Sequence, residues 1–173
     1  MTHQQQCQAF WQARRSVILS TTNLEGGVET SVTPFIADDE GSLYIFISEL
    51  AQHTPNILYL LSESPIGSEG LNAPPLISGL LVADEAETEQ AFARERLTLQ
   101  LQPSEIFRES EAFSERLSCF EQTFGEVIPL LASLPDFHLI QLKVIKGGYV
   151  KGFGQAFTFD GCPCQNLEPV RRG

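Results

Sequence analysis

Three short runs of β-branched, apolar and aromatic residues, joined by two glycine-bearing turns, constrain this chain more than any other feature. Ser16 to Thr22 is β-branched and apolar, Asn23-Leu24-Glu25-Gly26-Gly27 is a turn, and Val28 to Ile36 is extended again. Asp38-Asp39-Glu40-Gly41 then turns the chain into Leu43-Tyr44-Ile45-Phe46-Ile47, a continuous apolar run of the kind a buried strand carries. Turns this short admit only an antiparallel meander, because a parallel crossover needs about a dozen residues or more. Pro34 cannot donate to a strand ladder, so the second run is expected at an edge or a bulge.

The rest of the chain adds helices and more strands. Gln4 to Arg15 reads as an opening helix with Cys7, Phe10, Trp11 and Arg14 on one side. Thr54 is placed to cap a second helix with Pro55 at its first position, leading into Ile57 to Leu61. Ser62 to Pro75 holds three prolines and two glycines and reads as a long loop. Leu76 to Ala83 is a fourth strand, followed by an acidic stretch from Asp84 to Glu89, a short helix ending near Arg94, and a fifth strand from Arg96 to Gln102. Phe113, Leu117 and Phe120 give residues 106–121 a helical stripe, and Val127 to Leu134 is helical too. Phe137 to Val144 alternates as a strand, Gly147-Gly148 is expected to turn the chain, and Tyr149 to Phe157 follows. Past Asp160 the chain reads as a tail with little to bury. The expected architecture is α+β and mostly antiparallel, closing into a small barrel, with one domain over 1–160 and a tail over 161–173.

Charge and length narrow the function. A chain of 173 residues supports one core. A formal charge of −11 repels phosphodiester backbones and anionic lipid, so neither nucleic acid nor a membrane surface is an expected partner. An anionic small ligand needs only a few local cations and stays open. No run approaches the ~18 apolar residues of a membrane span, and residues 1–10 lack a secretory core, so a soluble, cytoplasmic protein is expected. Cys7, Cys119, Cys162 and Cys164 then read as free thiols. Cys162-Pro163-Cys164 has no second ligand pair, and no metal site is expected there.

Three groups of residues are candidates for ligand binding. Ser48, His53, Thr54 and Asn56 cluster at a strand end and helix start, where hydroxyls and free N–H groups suit a phosphate or a carboxylate. Capping and strand termination are the alternative roles for Thr54 and Ser48. Arg94 and Arg96 would point to the same side of an extended segment, suited either to an anion or to ion pairs with the acids of 84–89. Lys151 is one of three lysines and precedes Gly152-Phe153-Gly154, which either lets a flat ligand approach the backbone or marks a bend. No Gly-x-Ser-x-Gly, P-loop or Gly-x-Gly-x-x-Gly motif is present.

Several segments resemble one family in order along the chain. They are Ser31-Val32-Thr33-Pro34-Phe35, Tyr44-Ile45-Phe46-Ile47-Ser48 and Leu50-Ala51-Gln52-His53-Thr54-Pro55-Asn56, then Leu81-Val82-Ala83-Asp84-Glu85 and Phe92-Ala93-Arg94-Glu95-Arg96-Leu97-Thr98. Phe124-Gly125-Glu126, Leu134-Pro135-Asp136-Phe137 and Val150 to Phe157 complete the match, over roughly residues 10 to 160. The pattern is similar to bacterial haem-utilisation proteins, a branch of the pyridoxamine-phosphate-oxidase-like split barrels.

The resemblance implies a six-stranded split β-barrel with flanking helices, a homodimer, and a flat anionic cofactor at its interface. For the haem branch that cofactor is haem, which some members degrade. For flavin-binding relatives it is flavin mononucleotide (FMN), here with Ser48, Thr54, Arg94, Arg96 and Lys151 on the phosphate and flavin N5 accepting a hydride. A third reading is a non-catalytic dimer without a ligand. One departure stands out. Relatives draw an axial histidine from the C-terminal segment, whereas residues 159–173 contain none. Asp136 matches an aspartate that supports that histidine, and Cys162 or Cys164 would have to substitute as a thiolate. His138 reads as a structural strand residue.

Overall fold

A computed structural model describes residues 1–63 and 77–171. From residue 64 onward the expected 62–75 loop lies outside the described residues, and Ser62 belongs to a helix. The meander is present: β1 (Ser16–Thr22) pairs with β2 (Val28–Pro34), and β3 (Ile36–Ala37) pairs with β4 (Ser42–Ser48). The first turn closes on Asn23, whose Oδ1 accepts from the N–H groups of Glu25 and Gly27, while Gly26 takes a φ of +82°. Four more strands follow: β5 (Ile77–Val82), β6 (Arg96–Ile106), β7 (Phe137–Gly152) and β8 (Gln155–Asp160), with a two-residue β9 (Glu168–Pro169) at the end.

Every pairing is antiparallel, in the order β2-β1-β5-β6-β7-β4-β3, with β8 on β7 and β9 on β8. β2 therefore begins the order, as Pro34 requires. The length of β7 organises the sheet. Its first half pairs with β4 from Ser48↔Phe137 to Ser42↔Lys143, and its second half pairs with β8 from Lys146 to Gly152. The resemblance implied six strands; among the described residues seven have six residues or more, and β3 and β9 have two each.

Among the described residues, four α-helices flank the sheet. α1 (His3–Ala13) opens with a capping box, Thr2 Oγ1 accepting from Gln5 N at 3.2 Å and Gln5 Oε1 from Thr2 N at 2.8 Å. It buries Cys7, Phe10 and Trp11. α2 (His53–Glu63) follows β4, and α3 (Glu111–Phe124) and α4 (Val127–Ala132) cover the other side of that strand. This is why β4 is apolar throughout. Leu43, Ile45 and Ile47 enter the barrel core with Leu19, Leu99 and Leu142, and Tyr44 and Phe46 enter a second core with Phe113, Phe120 and Ile128. No helix among the described residues is long and apolar enough to cross a membrane.

Four expectations differ. Gly147-Gly148 does not turn the chain. β7 runs straight through, and a Cβ on Gly147 would lie 2.4 Å from the Thr98 carbonyl oxygen and 2.5 Å from the Phe159 ring. The turn is at Phe153-Gly154, with Gly154 at a φ of +69°. Thr54 lies inside α2 rather than capping it, its Oγ1 donating to the Ser48 carbonyl oxygen at 2.7 Å. The short helix expected to end near Arg94 is a 3₁₀ turn, Ala91–Ala93, with Arg94 at its C-cap, and the acidic stretch before it holds a second, unexpected one, Glu85–Glu87. Finally, the first residues past Asp160 are partly packed, while most of those from Gln165 to Arg171 are exposed. Pro163 and Cys164 are buried, and Cys164 forms a disulfide with Cys7, with Cα atoms 5.3 Å apart. That pairing corrects the reading of four free thiols: a sequence separation of 157 residues gave no local signal of it.

Candidate functional site

The polar residues at the β4–α2 junction are drawn inward, because β2 presents Glu29, Ser31 and Thr33 to the interior while Val28, Thr30 and Val32 face out. His53 Nδ1 lies 2.8 Å from Ser31 Oγ. Asn56 Nδ2 donates to Thr21 Oγ1 at 3.0 Å and to Glu29 Oε2 at 2.7 Å. Both side chains are buried, and burial lowers the histidine's pKa. His53 Nε2 is buried without a hydrogen-bond partner among the described residues. Ser48 Oγ donates to Asp136 Oδ2 at 2.6 Å, so the serine is the hydrogen-bond partner of that aspartate.

Arg94, Arg96 and Lys151 surround Glu95 at the opposite end of β7. Arg94 Nε donates to the Ala83 carbonyl oxygen at 2.6 Å and its Nη1 pairs with Glu85 at 3.0 Å, the ion pair that the nearby acids offered. Arg96 Nη1 donates to the Arg94 carbonyl oxygen at 2.9 Å. Glu95 accepts from Tyr149 Oη and, at 3.2 Å, from Lys151 Nζ. Burial first, then the Glu95 hydrogen bond and charge, push the Tyr149 phenol far above its ordinary range. Gly152-Phe153-Gly154 makes the β7–β8 turn, so the bend is the part it plays. Of the seven candidates, Ser48, His53, Thr54 and Asn56 come together in the interior; Arg94, Arg96 and Lys151 come together at another corner.

A third place combines cations with an apolar floor. Register carries Val32, Ile18, Leu80, Thr98, Gly148 and Thr158 across six strands in one outward row. Val32 is 66% exposed, and Ile18 and Leu80 are half-buried. Where this row meets the end of α1, Arg14, Arg15, Ile18, Val32, Leu80 and Val82 line a cleft of about 350 Å³. The adjacent arginines before the first strand were the signal for it, and the helical stripe drew attention to Arg14 only as a packing residue.

Of the two cysteines considered for an iron, Cys164 is in the disulfide, and burial followed by the charge of Asp38 raises the Cys162 pKa. His138 is held in β7 with Nδ1 2.7 Å from Glu105 Oε1 and Nε2 2.8 Å from Glu49 Oε1.

An antiparallel sheet split along β7, with helices over both sides of β4, is the architecture of the pyridoxamine-phosphate-oxidase-like split barrels. A Clostridium acetobutylicum protein of the pyridoxine-phosphate oxidase family, related to general stress protein 26, shares it with a TM-score of 0.61 at 12% identity, over 92% of this chain and 96% of its own. Sequence similarity narrows the class. Haem oxygenase HutZ of Vibrio cholerae is 34% identical over 152 residues, which are 88% of this chain and 78% of HutZ. The crystal structure of V. cholerae HutZ, described as a haem storage protein, superposes with a TM-score of 0.69 at 28% identity, over 93% and 98% of the two chains. Campylobacter jejuni ChuZ superposes with a TM-score of 0.78 at 32% identity over 96% of this chain, which spans 61% of ChuZ. No family model matches the sequence. The chain belongs to the haem-utilisation branch of the pyridoxamine-phosphate-oxidase-like superfamily.

Proposed function

We propose that the protein is a homodimer that binds haem on the outward face of its barrel and serves haem-iron use. The observation that carries this is the cleft at the α1–β1 corner, where an apolar floor adjoins two arginines in a chain of formal charge −11. Its residues suit a macrocycle and its carboxylates. Among the described residues its lining contains no His, Cys, Met or Tyr, so they offer an iron no protein ligand there. Haem would supply the redox-active iron when bound. Ile18, Val32, Leu80 and Val82 would exclude water from one face of the ring, and the row that holds the first three would meet a second copy. A cytoplasmic setting stays part of this proposal, although the Cys7–Cys164 pairing is of a kind that an oxidising compartment favours.

FMN on the same fold has one observation in its favour: His53 Nε2, buried at the start of α2 without a hydrogen-bond partner among the described residues. Against it, the Glu29 carboxylate occupies the same cluster through Asn56, and a phosphate would meet like charge there. Absorbance titration of the purified protein with haemin, and separately with FMN, distinguishes the readings. The proposal predicts a haem Soret band saturating at one haem per chain and no retained flavin. Flavin retained through gel filtration without haem uptake supports the oxidoreductase reading instead, and uptake of neither supports a dimer without a ligand. Loss of the Soret band on adding ascorbate to the loaded protein would show ring cleavage.

A further inference from the structure

From the turn after β8 we infer that Cys162 is the entry point of a thiol–disulfide relay, through which a small solvent aminothiol reduces the buried Cys7–Cys164 bond. The inference does not depend on the haem reading.

Three observations lead there. First, the bond is shut away from solvent, because Cys7 and Cys164 are both wholly buried. A thiol must reach a disulfide sulfur to exchange with it. Second, a third cysteine stands beside the bond. Cys162-Pro163-Cys164-Gln165 forms a turn, Gln165 N donating to the Cys162 carbonyl oxygen at 3.4 Å, with Cys164 at the third position and a φ of +65°. That is the arrangement of a type II turn, whose third position favours glycine, so a cysteine there carries strain. Residues two apart have Cα atoms no more than about 7 Å apart, against the roughly 4.4–6.8 Å that a disulfide spans. A Cys162–Cys164 bond is therefore within reach of this turn. Third, Cys162 is half-buried and lines an open cleft of about 570 Å³ between α1 and the Asp38–Gly41 turn. Gly41 packs directly on it: a Cβ there would lie 2.4 Å from Pro163 Cδ and 3.0 Å from Cys162 Sγ. Among the described residues the charged lining is Asp38 and Asp39, and Gln4, Gln8 and Gln165 supply amides. A thiol bearing an ammonium suits that wall better than an acidic one.

The exchange balances in three steps. The Cys162 thiolate attacks Cys164 Sγ; the Cys162–Cys164 bond forms, the Cys7–Cys164 bond breaks, and Cys7 takes up the proton that Cys162 gave. A solvent thiolate then attacks the accessible Cys162 Sγ, forming a mixed disulfide and releasing Cys164, which is protonated in turn. A second solvent thiol attacks the outer sulfur of that mixed disulfide and frees Cys162. Two solvent thiols are thereby oxidised to one disulfide, and Cys7–Cys164 is reduced to two thiols. Burial and the charge of Asp38 raise the Cys162 pKa, so its thiolate is scarce and the first step is slow.

The experiment follows the Cys7–Cys164 bond in the folded, full-length protein exposed to cysteamine, by acid quench, alkylation and peptide mass mapping. Wild type is compared with Cys162→Ser, with thermal melting of each as a folding control. The relay predicts that wild type is reduced at least ~10-fold faster than Cys162→Ser, with the mixed disulfide trapped on Cys162. In urea, where the bond is open to solvent, the two are reduced equally fast. Cysteamine also outpaces 2-mercaptoethanesulfonate at equal thiolate concentration. If Cys162→Ser fails to fold, wild type alkylated at its free thiols carries the test and is slowed by the same factor, while unalkylated Cys119→Ser behaves as wild type. A folded Cys162→Ser reduced as fast as wild type overturns the relay. So does a mixed disulfide trapped on Cys7 or Cys164 instead, or a folded wild type that cysteamine leaves oxidised. Equal rates for the two thiols overturn the charge preference alone.

Discussion

His138 shows how a single residue can be legible in its role and opaque in its consequence. Alternation in β7 placed it in a strand, but nothing local indicated that Glu49 and Glu105, from two other segments, would close on its two ring nitrogens. Burial alone would lower its pKa; hydrogen bonds and charge from Glu105 and Glu49 outweigh that and raise it. In the unfolded chain the imidazole titrates near about 6.5. The native state therefore binds the proton more tightly, and the stabilisation is fully present below that value. It is lost as pH rises through the higher native value. Urea unfolding of wild type and His138→Gln across pH should show the largest stability gap in acid, narrowing as the pH rises past about 6.5. A gap independent of pH would contradict the paired-histidine geometry.

At the scale of elements, the two ends of the chain are joined by a bond that links α1 to the segment after β8. Cys7 and Cys164 are both wholly buried, leaving Cys119 and Cys162 as the free thiols. Thiol titration of the unfolded, unreduced protein should therefore find two reactive groups; four would mean that the ends are held by packing alone. Closing so long a loop is worth roughly 2–5 kcal/mol, so Cys164→Ser should lower the free energy of unfolding by about that much. What was legible at this scale follows from local chemistry. The Asn23–Gly27 and Asp38–Gly41 turns and the apolar run of β4 are written in adjacent residues. The Gly147-Gly148 pair was misread because glycine serves turns and close approaches equally. Only the neighbouring strand, with Thr98 and Phe159 against that backbone, separates the two. The Ser48, His53, Thr54 and Asn56 cluster was legible as a group, but its inward direction depends on the pleat of β2, which sequence alone left open.

For the whole molecule, the proposed assembly and the proposed ligand meet on the outward row across β2, β1 and β5. Val32 at 66% exposure and Val28 at 71% are apolar positions on a strand that the described residues leave uncovered. If this face meets its copy, the dimer and the haem cleft share Ile18, Val32 and Leu80. One outward charge should then disturb both. The most direct measurement is sedimentation velocity of wild type and Leu80→Arg, each with and without haemin and monitored at the Soret band. The account predicts that wild type sediments as a dimer carrying haem, and that Leu80→Arg shifts toward monomer and loses haem together. A wild-type monomer that carries a full complement of haem, or a Leu80→Arg dimer with haem undisturbed, would contradict it.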